Sequence, residues 1–159
     1  CGLAGDAMVA FCGAARVADH MVDIEDREKK DFIYSPSMLH LIVEHFQMPL
    51  SQAVLRQRLL VCIMREEIQR SASSHELTRA GDDLFYQGRK LSVSIATLSP
   101  MSALIHMGLN IQTEGTPVPT AGLAELGLVP PTLAHHVMQK YRDDHASMAA
   151  ACSKVLPVP

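Results

Sequence analysis

The chain has 159 residues, 48% of them apolar and 19% charged, with a formal net charge of −3. That is enough chain for one domain with a substantial core and too little for two comfortable ones; it is also too apolar for disorder and too near neutrality for a basic surface that grips nucleic acid. Its longest uninterrupted apolar run, Leu59 to Met64, is far below the roughly 20 residues that span a bilayer, so no membrane partner is expected.

The four cysteines, Cys1, Cys12, Cys62 and Cys152, form no CxxC pair and read as reduced thiols of a soluble, cytoplasmic protein. No signal peptide is read at the front. The first residue is not Met, and an N-terminal piece of the natural protein is expected to precede it.

Gly5 to Gly13, GDAMVAFCG, alternates weakly and predicts a strand running into a turn. His20 to Asp26, HMVDIED, places Asp23 and Glu25 two apart. In extended chain their carboxylates share a face, as a hard cation such as Mg2+ requires; the competing reading is a solvated acidic turn. Ser37 to Phe46, SMLHLIVEHF, follows Pro36 and reads as a buried strand, with helix as the alternative. His40 and Glu44 fall on one side and His45 on the other. The order HxxxEH differs from the HxxEH of inverted zinc proteases and its spacing supplies no third ligand. Both histidines are therefore read as structural.

Pro49 to Arg70 is the clearest helix, with Ser51 as N-cap. Its LLVCIM centre is apolar all round and is expected to lie across a sheet, covered from more than one side. Arg56, Arg58 and Arg65 are assigned to a solvated face. After the polar break at 71–74, His75 to Arg79 reads as a short strand.

Gly81 to Ile111 is the stretch richest in chemistry. Asp83 to Gln87 and Lys90 to Thr97 read as strands joined by a tight hairpin at Gly88 and Arg89. A period of two sets Leu91, Val93, Ile95 and Thr97 on one face and Lys90, Ser92, Ser94 and Ala96 on the other. In the next run Ala103, Ile105, Met107, Leu109 and Ile111 are the apolar set, opposed by Ser102, His106, Gly108 and Asn110. Pairing the two strands gives an oily back for helices and a polar front. Its expected floor is Ser92, Ser94, His106 and Asn110, and its edge is Asp82, Asp83, Arg89 and Lys90. Such a front suits a small polar ligand.

Residues 113–131 read as a loop with a short helix, Ala121 to Leu126, closed by Gly127. It is either a lid over the polar face or a surface crossover. Thr132 to Lys154 predicts a second helix whose stripe is Leu133, Val137, Tyr141, Met148 and Cys152, leaving His135, His136 and His145 exposed.

The segments GD followed by VAF, MVDIED, MLHLIVEHF, RQRLLV, GDDLFYQGRKLSVSIAT, LIHMGLNI and GTPVPTAGL resemble an uncharacterised prokaryotic family, domain of unknown function 366, over nearly the whole chain. Asp82 to Asn110 more distantly resembles the core of biotin and lipoate protein ligases. There an Asn-Asp pair opens a strand, a Lys follows a short hairpin, and a GxGxN-like strand comes after. Asp82 and Asp83 stand at the pair, Lys90 at the lysine, and Gly108 and Asn110 near the last motif. The resemblance implies ATP and Mg2+ as cofactors and an acyl-adenylate intermediate, with the Lys90 ammonium stabilising negative charge between carboxylate and α-phosphate. Ser92, Ser94 and His106 would add neutral hydrogen bonds, and Gly108 would admit the ligand closely. This sequence departs at Asp82 in place of Asn, at Val93 in place of a glycine, and at Arg16, a lone arginine where the ligases carry several.

The expectation is a single α+β domain over residues 1–159, with a mixed, largely antiparallel sheet backed by helices, similar to the class II aminoacyl-tRNA synthetase and biotin and lipoate ligase fold. On it an enzyme of acyl-adenylate type, with Lys90 as catalytic group, would bind a small carboxylate-containing or nucleotide ligand. The alternatives are a non-catalytic ligand-binding module on the same fold, or a metal-dependent hydrolase using Asp23, Glu25 and His40. Self-association into a homo-oligomer is left open.

Overall fold

The alternating segments assemble into a four-stranded antiparallel sheet. Its strands are β1 (Ala7–Val17), β2 (Ile33–Phe46), β6 (Ser92–Leu98) and β7 (Ser102–Gln112), in the spatial order β1-β2-β7-β6. A small second sheet holds β3 (Leu77–Ala80), β4 (Asp83–Tyr86) and β5 (Arg89–Lys90). Two long helices are found among the described residues, α1 (Leu50–Ser71) and α2 (Pro130–Ser153). The computed structural model describes residues 2–17, 22, 24, 28, 32–71 and 76–158. Asp23 and Glu25, which form the acidic cation site and two of the three hydrolase residues read from the sequence, lie outside the described residues; the third, His40, is described. Among the described residues no helix is long and apolar enough to cross a membrane.

One face of the large sheet carries the core. Leu39, Leu41 and Val43 of β2 and Ile105, Met107 and Leu109 of β7 are almost fully buried against Leu60, Ile63, Met64 and Ile68 of α1. Each such side chain stabilises the fold by about 1.5–3 kcal/mol. Helix α2 adds Leu133, Val137 and Tyr141. Cys152, expected in the same stripe, is exposed.

Strand β2 starts at Ile33, so Pro36 lies inside it. It is accommodated because the register shifts there against both neighbours, between Gly13 and Ala15 on β1 and between Ser37 and Met38 on β2; a proline has no N–H to give to a regular ladder. Helix α1 is not capped by Ser51: the Pro49 carbonyl accepts from the Gln52 and Ala53 N–H groups at 3.0 Å, placing Ser51 inside the first turn. The hairpin turn is Gln87-Gly88, with φ of 49° and 75°, the pair of positive values that a type I′ turn requires. Arg89 is already in strand.

The predicted Lys90 to Thr97 strand is divided between the two sheets. Lys90 pairs with Phe85 in the small sheet, Ser92 with Leu109 in the large one. Leu91 makes the crossing, fully buried, donating to the Leu84 carbonyl at 2.8 Å and accepting from the Asn110 N–H at 3.0 Å.

This crossing changes which face each residue occupies. Ser92 and Ser94 stand opposite Leu109 and Met107, on the helix side, while Val93 and Ile95 stand opposite Gly108 and His106. The expected floor of Ser92, Ser94, His106 and Asn110 is therefore split across the sheet. The serines tolerate burial because their hydroxyls are bonded. Ser92 Oγ accepts the Leu84 N–H at 2.9 Å, and Ser94 Oγ accepts from Gln57 at 2.8 Å and donates to the Asp82 carbonyl at 3.1 Å.

Residues 113–129 are no lid. Lys90 N donates to Pro119 O, Ala121 N to Lys90 O and Leu123 N to Asn110 O, each within 3.0 Å, while Ala121 and Leu123 enter the core fully buried. A Cβ on Gly122 would meet the Ile111 carbonyl oxygen at 2.6 Å, so this strap lies hard against β7. The expected helix Ala121 to Leu126 is a series of turns, ending as expected on a Gly127 with positive φ of 68°.

Candidate functional site

Three groups of residues were candidates for chemistry. The first is the charged edge. Asp82, Asp83, Arg89 and Lys90 do gather where the small sheet meets β6, and each is engaged by an opposite charge. Lys90 Nζ lies 2.8 Å from Asp83 Oδ2, Arg89 Nη2 3.0 Å from Glu125 Oε2, and Arg58 Nη1 2.7 Å from Asp82 Oδ1. Arg58, expected on a solvated face, is instead the partner of Asp82. Arg16 is exposed on β1, the edge strand farthest from β6, and joins none of this. Paired charges of both signs leave little standing field for an anion.

The second is the face of the large sheet turned away from the helices. Register places Val9, Phe11, His40, Ile42, His106, Gly108, Val93 and Ile95 there. Among the described residues no helix covers this face, and Val9, Ile42, Val93, Ile95 and His106 are all half-buried. Phe11 stacks on His40 with ring centroids 4.8 Å apart, and His40 lies beside His106 at 5.3 Å. His40 Nδ1 is 3.0 Å from His106 Nε2, and His40 Nε2 is 3.3 Å from the Gly13 carbonyl oxygen. The carbonyl only accepts, so in the neutral pair His40 carries its proton on Nε2, His106 donates from Nε2, and His106 Nδ1 is the bare acceptor. Burial pushes His106 down to about 4, helped by the neighbouring His40; burial also lowers His40, against the pull of the Gly13 carbonyl. Both imidazoles are neutral at pH 7.

Gly108 does not leave the gap that the ligase resemblance implies. A Cβ there would meet Met38 Sδ at 2.3 Å, and Met38 is itself buried. Asn110 is buried farther along the strand. Val93 adds its side chain beside Gly108.

The third group lies on the helix side. Asp6, just before β1, presents Oδ2 to His45 Nδ1 at 2.8 Å and Oδ1 to the Phe46 N–H at 2.8 Å. His45 Nε2 meets the Tyr141 hydroxyl at 2.8 Å. His145 of α2 stacks on His45, centroids 5.0 Å apart and 11° from parallel, with Nε2 at 3.9 Å from Asp6 Oδ2. Burial raises the Asp6 carboxyl, but the hydrogen bonds from His45 and Phe46 and the electrostatic pull of the His45 and His145 rings outweigh it and hold the group below its ordinary value. Burial pushes the Tyr141 hydroxyl up to about 12. Beside this cluster is a cavity of about 390 Å³ walled by Met8, Val43 and Met138, with His135 and Arg142 also lining it.

The family model for a domain of unknown function, DUF366, matches residues 1–156. The chain belongs to this family. An uncharacterized protein of Methanocaldococcus jannaschii is 41% identical over 130 residues, 77% of this chain and 58% of that protein, so the chain spans little more than half the length of this relative. A solved structure, a protein of unknown function from Pyrococcus horikoshi, superposes with a TM-score of 0.92 at 37% identity, covering 99% of this chain and 85% of that one. Biotin protein ligases share the fold at low identity. The Leishmania major enzyme in complex with biotinyl-5-AMP gives a TM-score of 0.59 at 15% identity over 87% of this chain and 65% of its own. The Aquifex aeolicus enzyme gives 0.53 at 16%, over 67% and 52%.

In this DUF366 chain the histidine roles were only half legible. The two sides of β2 were read correctly, but Asp6, Tyr141 and His145 were passed over, and His145 is half-buried where it was expected exposed. One signal was available: His135, Met138, Arg142 and His145 follow the 3, 4, 3 spacing of a single helix face.

Proposed function

We propose that this DUF366 protein is a binding module that seats a small molecule on the face of its four-stranded sheet that no helix of the described residues covers. The observation that carries this reading is the Phe11–His40–His106 ladder, two neutral imidazoles among the apolar side chains of Val9, Ile42, Val93 and Ile95; the carboxylate on the same face, Glu44, lies at the next position on that face beyond Ile42 and is bonded to Ser102. Isolated apolar side chains on a surface are ordinary, but a contiguous apolar patch with one oriented polar group is the make-up of a ligand seat. The ligand lays an acyl chain or a nucleobase on Phe11, Ile42, Val93 and Ile95 and donates a hydrogen bond to His106 Nδ1. A molecule recognised mainly by carboxylate or phosphate fits less well, because the nearby cations Lys90 and Arg89 already face carboxylates.

The ATP and Mg2+ that the ligase resemblance implies find a poor match among the described residues. The carboxylates of the edge, Asp82 and Asp83, are each held by a cation, and a hard divalent ion needs several oxygens free to gather. No adenylation step is assigned to Lys90.

The test is NMR titration of the labelled protein with octanoate, lipoate, biotin, adenine and ATP·Mg2+ at millimolar concentration. Saturable shifts at Ile42 and Ile95 are expected with the acyl or nucleobase compounds, joined by the His106 ring for biotin and adenine, whose N–H groups can donate to Nδ1, whereas ionised octanoate and lipoate carry no donor. A His106→Asn substitution should weaken binding by about tenfold, the worth of one hydrogen bond. Shifts confined to Asp83 and Lys90 with ATP·Mg2+, lost in Lys90→Ala, would replace this reading with the adenylating enzyme. Silence of the open face towards every compound sinks the binding reading.

A further inference from the structure

We propose that Asp6, His45 and His145 bind one divalent transition-metal ion on the helix side of the sheet, with an open coordination position facing the adjoining cavity. One ligand atom from each of the three residues lies within 4.8 Å of the other two. Donors set around a tetrahedral ion at about 2.0–2.2 Å stand roughly 3.4 Å apart. The distances of 2.8 Å from His45 Nδ1 and 3.9 Å from His145 Nε2 to Asp6 Oδ2 bracket that spacing, so small side-chain shifts admit the ion.

The surroundings already hold the donors in place. Phe46 N–H fixes the carboxylate through Oδ1, and the Tyr141 hydroxyl fixes the His45 ring through Nε2, the kind of outer support that orients metal-bound imidazoles and carboxylates. When the ion binds, His45 changes tautomer: Nδ1 gives up the proton it now shares with Asp6, and Nε2 carries one and donates to the Tyr141 oxygen. His145 offers Nε2 to the ion, 3.9 Å from Asp6 Oδ2 and too far for a direct hydrogen bond; its other ring nitrogen, Nδ1, is buried without a hydrogen-bond partner among the described residues.

Two imidazoles and one carboxylate select borderline ions such as Zn2+ or Co2+ over Mg2+ or Ca2+, which prefer oxygen. Three protein donors leave a tetrahedral ion one position for water or a small molecule, and the 390 Å³ cavity beside it accommodates such a molecule.

The experiment uses the purified chain stripped with chelator and then titrated with Zn2+, with Co2+ as a spectroscopic stand-in and Mg2+ as control. One equivalent of Zn2+ should bind and raise the melting temperature, and Co2+ should give the visible d–d bands of a low-coordinate nitrogen and oxygen site. His145→Gln, half-exposed and outside the hydrogen-bond network, should remain folded by circular dichroism yet lose the bands. Tyr141→Phe should keep them with affinity lowered by about tenfold or more. Zn2+ binding to the wild type that is absent, not saturable at one equivalent, or no tighter than Mg2+ overturns the proposal whatever the variants do. Bands unchanged in a folded His145→Gln protein overturn it equally.

Discussion

At the scale of single residues, the open face rests on the neutrality of His106. An imidazole with a folded pKa near 4, below its ordinary 6.5, takes up its proton more readily in the unfolded chain. The stability it confers is therefore complete above about pH 6.5 and is lost as pH falls towards 4, by roughly 3 kcal/mol in total. Urea denaturation as a function of pH should show this decline, and His106→Asn should flatten it between 6.5 and 4. An unchanged profile in the variant would show that the ring is not held neutral by the fold. The lowered Asp6 carboxyl acts in a separate window: its contribution is present above its unfolded value of 3.8 and disappears only as pH falls below that. Close to His106, Gly108→Ala forces a methyl into the space of Met38 and should cost about 1–3 kcal/mol, read from the urea midpoint. A loss under about 0.5 kcal/mol would mean that Met38 moves aside freely.

At the scale of elements, the small sheet is fastened to α1 through Gln57, a buried side chain whose Nε2 donates to Asp82 Oδ2 at 2.9 Å and to Ser94 Oγ at 2.8 Å. Gln57→Leu keeps the bulk and strands both acceptors, so unfolding experiments should register a loss of about 1–3 kcal/mol; no loss would show that water replaces the amide without penalty. This network explains where the sequence could be read and where it could not. Alternation in SALIHMGLNI and the apolar centre of α1 announced β7 and the helix, because burial on one face writes itself into a single element. The register between β6 and β7 is a relation between elements. Ser92 and Ser94 alternate with apolar neighbours as solvent-facing residues would, and only Gln57, Leu84 and Asp82, distant in sequence, make their burial acceptable. The edge charges were legible as a cluster, but their pairing with Arg58 and Glu125 was not, since surface ion pairs of this kind contribute only about 0–1 kcal/mol and leave no pattern in sequence.

At the scale of the molecule, one sheet carries two candidate sites on opposite faces, an imidazole pair on an apolar seat and a nitrogen-rich cluster beside a cavity. They lie about 16 Å apart along β2, from the five-residue separation of His40 and His45 at roughly 3.3 Å per residue, beyond the range at which substitutions usually interact. Calorimetric titration of His106→Asn with Zn2+ should therefore match the wild type within about 0.5 kcal/mol. A larger change would mean that the sheet transmits strain from face to face. The division also places a demand on β2. Side-chain direction along a strand is a matter of odd and even, and His40 and His45 have opposite parity. A single residue inserted between His40 and His45 would reverse the downstream parity and turn His45 out of its cluster, whereas one inserted beside Pro36 enters a stretch where the register already shifts. The irregularity at Pro36 thus acts as an expansion joint, able to absorb a change in chain length while both sites keep their orientation.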